Sequence, residues 1–125
     1  MKVTVYHNVA LDEAGRHLGI LDGYQPDHPV TPVFTAELPD TDDVTACDEL
    51  YRLLNGGDDP SFGTPDPRAL AYRARGNRSL SIGDLARIDG RFYACAPEGW
   101  EPVTARPSIV RDTGVHGSTP LPEAD

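Results

Sequence analysis

Four histidines (His7, His17, His28, His116) and two cysteines (Cys47, Cys95) are the side chains of this 125-residue chain best suited to metal or nucleophilic chemistry. Their spacing argues against both. No pair stands at an HxxH, HxxxH or CxxC interval, and structural zinc sites announce themselves by such paired ligands. Both cysteines fall in apolar patterns, where a thiol stays protonated and inert, so they are expected as reduced core residues. Gly15, Gly19 and Gly23 precede no Lys-Ser/Thr pair and do not form a phosphate loop. Carboxylates do come in adjacent pairs, Asp42-Asp43 and Asp58-Asp59. General acid–base catalysis also needs a desolvated cleft that shifts a pKa, and no pattern marks one. The first pair suits a helix start and the second a turn. No catalytic residue, cofactor or metal is therefore expected. The chain reads as non-enzymatic, with an enzyme of unknown type kept as one alternative.

The net charge of −9 is unevenly placed. Residues 1–60 hold twelve acids against three bases, whereas residues 61–103 hold six arginines against five acids. Neutralising phosphates needs surplus Lys and Arg, so the acidic half argues against a general nucleic-acid binder. The acids are either a solvated face or a surface that docks a basic protein or imitates DNA. In the second case Asp40, Asp42, Asp43, Asp58 and Asp59 are the candidate partner-binding residues. The alternative is a nucleic-acid-binding module at 68–78, built on Arg68, Arg73, Arg75 and Arg78. On a strand Arg73 and Arg75 would share a face, with Tyr72 or Tyr93 offering stacking surface. Charge balance favours a third arrangement, in which these arginines pair with the acidic N-terminal half inside one domain.

Several elements must position these groups. Residues 2–9 alternate and predict a strand. Residues 12–22 carry a weak helical stripe broken by glycines, which predicts a loop or a broken helical turn. Residues 28–38 predict a second strand, whose Pro29 and Pro32 confine its first part to an edge or an irregular start. The clearest helix is 43–55. Asp40, Thr41 and Asp42 offer capping oxygens, Val44, Cys47, Leu50, Tyr51 and Leu54 form its stripe, widened by Leu53, and Asn55-Gly56-Gly57 end it. Residues 69–75 alternate and predict a strand, with a helical turn as the alternative. Residues 85–89 and 91–96 predict a hairpin turning on Asp89-Gly90, a pair suited to a type I′ turn with positive φ at both central residues. A turn at 97–99 leads to a last strand at 100–103. Beyond Thr104 the chain is rich in Pro, Gly, Ser and Thr, which predicts a flexible tail over 104–125 that packs little. The expected fold is one α+β domain over 1–103: a small, mostly antiparallel sheet or partial barrel against one main helix. No apolar run is long enough for a membrane span. No long apolar segment stands near the N-terminus, so the expected location is the cytoplasm.

Within 79–103 the order Ser79-Leu80-Ser81, Asp84-Leu85, Asp89-Gly90, Phe92-Tyr93-Ala94-Cys95 and Gly99-Trp100-Glu101 resembles the YodL-like domain, found in proteins of plasmids, integrative elements and phages. The likeness extends over the C-terminal half to two thirds of the chain. Gly83 and Pro97-Glu98 depart from it and bear on turn geometry. The resemblance implies no catalytic residue. It implies an accessory protein of a mobile genetic element, a phage or its bacterial host. Its residues have a structural reading: Ser79 and Ser81 bond local backbone, Leu80 plugs the core, Asp84 caps its own turn, and Trp100 closes the sheet. The expected function is non-enzymatic protein binding, one form of which is inhibition of a host defence complex through an acidic surface.

Overall fold

β1 (Lys2–Asn8) is the spine of the molecule, and a computed structural model describes residues 1–111 and 115–122 around it. The order is β1, α1 (Leu18–Asp22), β2 (Pro29–Glu37), α2 (Asp43–Gly56), a 3₁₀ turn (Pro60–Phe62), α3 (Pro67–Ala74), β3 (Leu85–Ile88), β4 (Arg91–Ala96), β5 (Gly99–Val103) and β6 (Ser108–Ile109). The six strands form one sheet ordered β5-β4-β3-β1-β2-β6. All neighbours are antiparallel except β2 and β6. The fold is α+β, as expected. Chain length dictates its curl. Five strand-to-strand steps separate β5 from β6, about 24 Å across a flat sheet. The linker from Val103 to Ser108 can span only about 17 Å fully extended, so the sheet must bend round to bring its two edges together.

Alternation along β1 sends Val3, Val5 and His7 to one face and Tyr6 and Asn8 to the other. The first face carries the main core. There α2 buries Ala46, Cys47, Leu50, Leu53 and Leu54 against Val3, Val5, Val33, Phe34, Ala86 and Ile88, with Leu80, Ala69 and Tyr72 closing the side. Full burial of each leucine contributes about 1.5–3 kcal/mol. Val44 and Tyr51, expected on the buried stripe, are 52% and 43% exposed; Ala46 and Leu53 take that face instead. The second face holds a smaller cluster of Tyr6, Val30, Leu85 and Ala94, edged by Tyr24, Phe92 and Val103. β2 is not an edge strand. Its irregularity is a bulge between the pairs Val5↔Phe34 and Tyr6↔Pro32, which leaves Val33 unopposed and lets both Val33 and Phe34 reach the core.

Helix α2 matches its expected position and is capped by Asp42, whose side chain accepts from Thr45 N. Residues 67–74 are a helix and not the expected strand. Asp66 caps it through Arg68 N, and Pro67 occupies its first turn, where a missing N–H costs nothing. The Asp89-Gly90 hairpin forms, but among the two only Asp89 takes a positive φ (53°), so the turn is not type I′. The segment after Thr104 packs more than expected. β6 pairs with Pro29 and Val30, Leu121 N donates to Pro32 O at 2.8 Å, and Val115 and Ser118 are buried. Residues 112–114 and 123–125 of the expected tail lie outside the described residues. Among the described residues no helix is long and apolar enough to cross a membrane.

Candidate functional site

Two arrangements compete for the functional site, a buried polar network and a pair of open clefts. The network centres on His7, which is fully buried. Tyr72 donates its hydroxyl proton to Arg78 O, so its oxygen is free to accept from His7 Nε2–H at 2.6 Å. His7 Nδ1 is then the bare nitrogen and accepts from Ser118 Oγ at 2.8 Å. Burial pushes the His7 pKa down to about 4 and holds the ring neutral. A hydroxyl beside an imidazole has the parts of a nucleophile and base. Here both partners are buried, and neither lines the clefts described below. The network ties Ser118 to β1 and α3, a bracing role.

Beside it, Asp84 is 1% exposed and fully engaged. It accepts from Arg78 Nη1 and Nη2 at 2.7 and 2.9 Å, from Asn8 N at 2.8 Å and from Ser81 N at 2.8 Å. Asn8 Nδ2 donates to Gly83 O at 3.1 Å. Asp84 therefore braces the turn into β3, with Ser81 taking part through its backbone N–H, and Leu80 is buried in the main core. The capping atoms differ from expectation in one respect. Asp84 does the work, while the Ser79 hydroxyl accepts from Arg73 Nη2. Asp89 Oδ1 accepts from Lys2 N at 3.1 Å, and the Tyr93 hydroxyl donates to Asp43. Glu101 stands apart from this group, exposed on β5.

The five candidate acids do not form one patch. Asp40, Asp42 and Asp43 lie at the start of α2, and Asp58 and Asp59 lie beyond its end. Its fourteen residues keep the two groups about 20 Å apart. Each also has a local partner. Asp40 sits 3.0 Å from the N-terminal amine, Asp42 caps α2, Asp58 Oδ2 lies 3.8 Å from Arg73 Nε, and Asp59 caps the 3₁₀ turn. Asp43 bonds Arg91 at 2.6 and 2.8 Å; those bonds, with the Tyr93 hydroxyl, pull its pKa down to about 2.

The arginines are turned inward as well. Because α3 is a helix, Arg73 and Arg75 diverge and do not share the face a strand would give them. Arg73 donates to Leu54 O at 3.1 Å, Arg75 donates to Val33 O, Arg68 pairs with Asp66 at 2.8 Å, and Arg78 pairs with Asp84 at 2.7 Å. Of the four, only Arg73 pairs with an acid of the N-terminal half, Asp58 at 3.8 Å; Arg68 and Arg78 pair with Asp66 and Asp84, which lie outside that half, because acids closer in sequence reach them first.

The clefts lie at the tip of the β4–β5 hairpin. One, about 400 Å³, runs between residues 22–26 and the second face of β4 and β5, with Asp22, Tyr24, Glu101 and Val103 in its walls. The other, about 290 Å³, lies on the α2 side and is walled by Asp48, Tyr51, Gly99 and Trp100. Ile82, Cys95, Ala96 and Pro97 line both, so the two adjoin as a groove around the hairpin tip with one cleft on each face of the sheet; the first also shares Pro102, Val103, Thr104 and Ala105 with a further cleft of about 450 Å³, which Arg91 and Arg106 wall on its far side. No Lys, Arg or His lines either cleft of the groove. Asp22 and Glu101 make no ion pair among the described residues, and Asp48 Oδ1 accepts only the Trp100 indole Nε1–H, at 3.2 Å. Cys95 lines both clefts but is buried, and that burial pushes its thiol pKa up to about 11, away from thiolate chemistry. Cys47, also free and buried, is pushed up to about 12.

Set beside known protein families, curated proteins and solved structures, the chain matches none of them. Asp22 and Asp48 carry no site signal in the sequence and Tyr51 reads there only as part of the α2 stripe; Asp48 and Tyr51 are neighbours on that helix, but Asp22 and Glu101 lie far from them along the chain. Only Trp100-Glu101, within the motif, pointed to this end of the molecule.

Proposed function

We propose that this chain is a non-enzymatic protein-binding module that docks a basic surface of a partner protein in the groove around the β4–β5 hairpin. One observation carries the reading: carboxylates without a cationic partner (Asp22, Asp48, Glu101) gather in a groove whose walls hold no basic side chain. Elsewhere most of the acids are matched by arginines, backbone amides or the N-terminus, and Glu13, Asp27 and Glu98, which make no ion pair among the described residues, line neither cleft. A field of one sign over a concave surface draws oppositely charged partners and speeds their encounter. Through the YodL-like resemblance of residues 79–101, the partner belongs to a bacterial host or mobile element, a host defence complex being one such target. A nucleic-acid role finds less support, since its four arginines hold carbonyls and carboxylates of the chain itself.

The test is fluorescence anisotropy at low salt with a labelled oligolysine, an oligoglutamate and a single-stranded oligonucleotide. The oligolysine alone should bind. The triple change Asp22→Asn, Asp48→Asn, Glu101→Gln should weaken it at least about tenfold, worth about 1.4 kcal/mol. Neutralising Asp40, Asp42, Asp43, Asp58 and Asp59 together should matter less. Binding lost only with that second set, or no oligolysine binding at all, overturns the proposal.

A further inference from the structure

We infer that the free edge of β5 takes an extended, arginine-bearing segment of the partner as an added strand, with consecutive side chains entering the two clefts. This rests on the docking role proposed above and specifies its geometry. β5 is the outermost strand at its end of the sheet. Cys95 N donates to Asp84 O and Cys95 O accepts from Gly83 N, both at 2.9 Å, so the Cys95 backbone is committed away from β5. In an antiparallel ladder the opposed pair Cys95↔Trp100 is then a non-hydrogen-bonded one. The N–H and C=O of Trp100 therefore point off the sheet. Pro102, two residues on, presents its carbonyl in the same direction and has no N–H to give. The edge thus offers one donor and two acceptors, sufficient for a short strand. Pro102 prevents longer, indiscriminate pairing.

Alternation decides what the added strand carries. Side chains of neighbouring residues leave a strand on opposite faces. One enters the cleft walled by Trp100, Tyr51 and Asp48, and the next enters the cleft walled by Glu101, Asp22 and Tyr24. Both clefts are acidic and aromatic. The Asp48 carboxylate spends one oxygen on the Trp100 indole and keeps the other for an incoming cation. Indole is the strongest cation–π platform among side chains. A planar, weakly hydrated guanidinium can lie flat on it while donating from its edge to that remaining oxygen, a pairing of contacts that a compact ammonium does not match. Arginine is therefore the side chain for the Trp100 cleft, and a second cation suits the Glu101 cleft.

Trp100 is the sole tryptophan, so its emission reports occupancy directly. The probe is a capped peptide of sequence Thr-Val-Arg-Arg-Val-Thr, added to the full chain while Trp100 emission and amide exchange are followed. Binding should shift the emission and protect the Trp100 amide. Replacing both arginines by citrulline should weaken binding at least about tenfold, as should Asp48→Asn in the protein, an exposed position where folding is not at stake. Two further peptides, N-methylated on alternate residues, separate strand pairing from charge: one should lose binding and the other keep it, because only one edge of the added strand meets β5. If both methylated peptides bind like the parent, strand addition is wrong while acidic docking stands. If the citrulline peptide binds equally well, arginine recognition is wrong. If oligolysine also fails, the broader docking role falls with it.

Discussion

Replacing Gly83 by alanine tests whether the turn into β3 is locked by backbone contact with α1. Gly83 has φ +94°, and a Cβ built there would stand 2.6 Å from Gly19 Cα and 2.7 Å from Gly19 C and O. Carbon atoms in contact normally keep about 3.5–4.0 Å, so one backbone must retreat by about 1 Å. The positive φ alone costs an L-residue about 1–2 kcal/mol. Overpacking against backbone adds about 1–3 kcal/mol. Retreat also endangers the bonds Gly83 N→Cys95 O and Asn8 Nδ2→Gly83 O, each worth about 1 kcal/mol. Gly83→Ala should therefore destabilise the protein by about 3–5 kcal/mol. Two controls separate the terms. Gly15 has φ +81° with nothing within 4 Å of a new Cβ, so Gly15→Ala should cost only the conformational part, about 1–2 kcal/mol. Gly19 lacks a positive φ, but its Cβ would meet Asn8 Nδ2 at 2.7 Å, so Gly19→Ala should cost the packing part. Urea unfolding followed by Trp100 emission and far-UV circular dichroism measures all three. A Gly83→Ala midpoint no lower than that of Gly15→Ala would refute the packing of α1 on this turn.

Two other perturbations probe the polar network. The His7 pKa falls from its ordinary 6.5 to about 4 on folding, so between those values the unfolded chain takes up a proton that the folded chain refuses. Stability should be full above about pH 6.5 and decline as pH drops toward 4, by at most about 3 kcal/mol. His7→Gln should flatten that limb in a series of urea titrations, and an unchanged limb would show that another group causes it. Asp84→Ala strands the Arg78 guanidinium and leaves the amides of Asn8 and Ser81 without an acceptor. It should cost about 3–5 kcal/mol, with Asp84→Asn less harmful, and a thermal midpoint close to that of the parent would contradict the bracing role.

What could be read from the residues alone was what neighbours in sequence decide. Helix α2 carries its own cap at Asp42 and its own stop at Asn55-Gly56-Gly57, and Asp89-Gly90 bends β3 onto β4 wherever the rest of the chain lies. Helix α3 was legible too, through Asp66-Pro67, but the alternation of Leu70, Tyr72 and Ala74 imitates a strand. Ala69 and Tyr72, three apart, are its buried positions, which is the helical period. β6 is different in kind: two residues with no strand signal, held beside β2 only because the sheet curls. The same holds for the site. His7 meets Tyr72 and Ser118 across 65 and 111 residues, and the groove exists only once residues 22–26 come to lie against β5. Long-range closure has no local pattern.

The charge pattern and the shape of the β5 edge support each other. An open sheet edge invites a second copy of the same chain as readily as a partner. Two copies meeting at β5 would bring Glu98, Glu101 and Asp48 of each against those of the other, on a chain already at −9, with Pro102 withholding a donor from the new ladder. Like charges brought face to face cost an interface far more than they cost a solvated surface. A basic segment meets neither obstacle in full: its cations relieve the crowded carboxylates, and it needs only the three backbone positions left open at Trp100 and Pro102. The arginines that could have neutralised this end internally, Arg73, Arg75 and Arg78, are committed to Leu54 O, Val33 O and Asp84. With twenty acids against eleven bases, and the nearby cations held by carboxylates and carbonyls of the chain, the hairpin tip keeps unbalanced acid, which makes that edge selective for a cationic partner over another copy of itself.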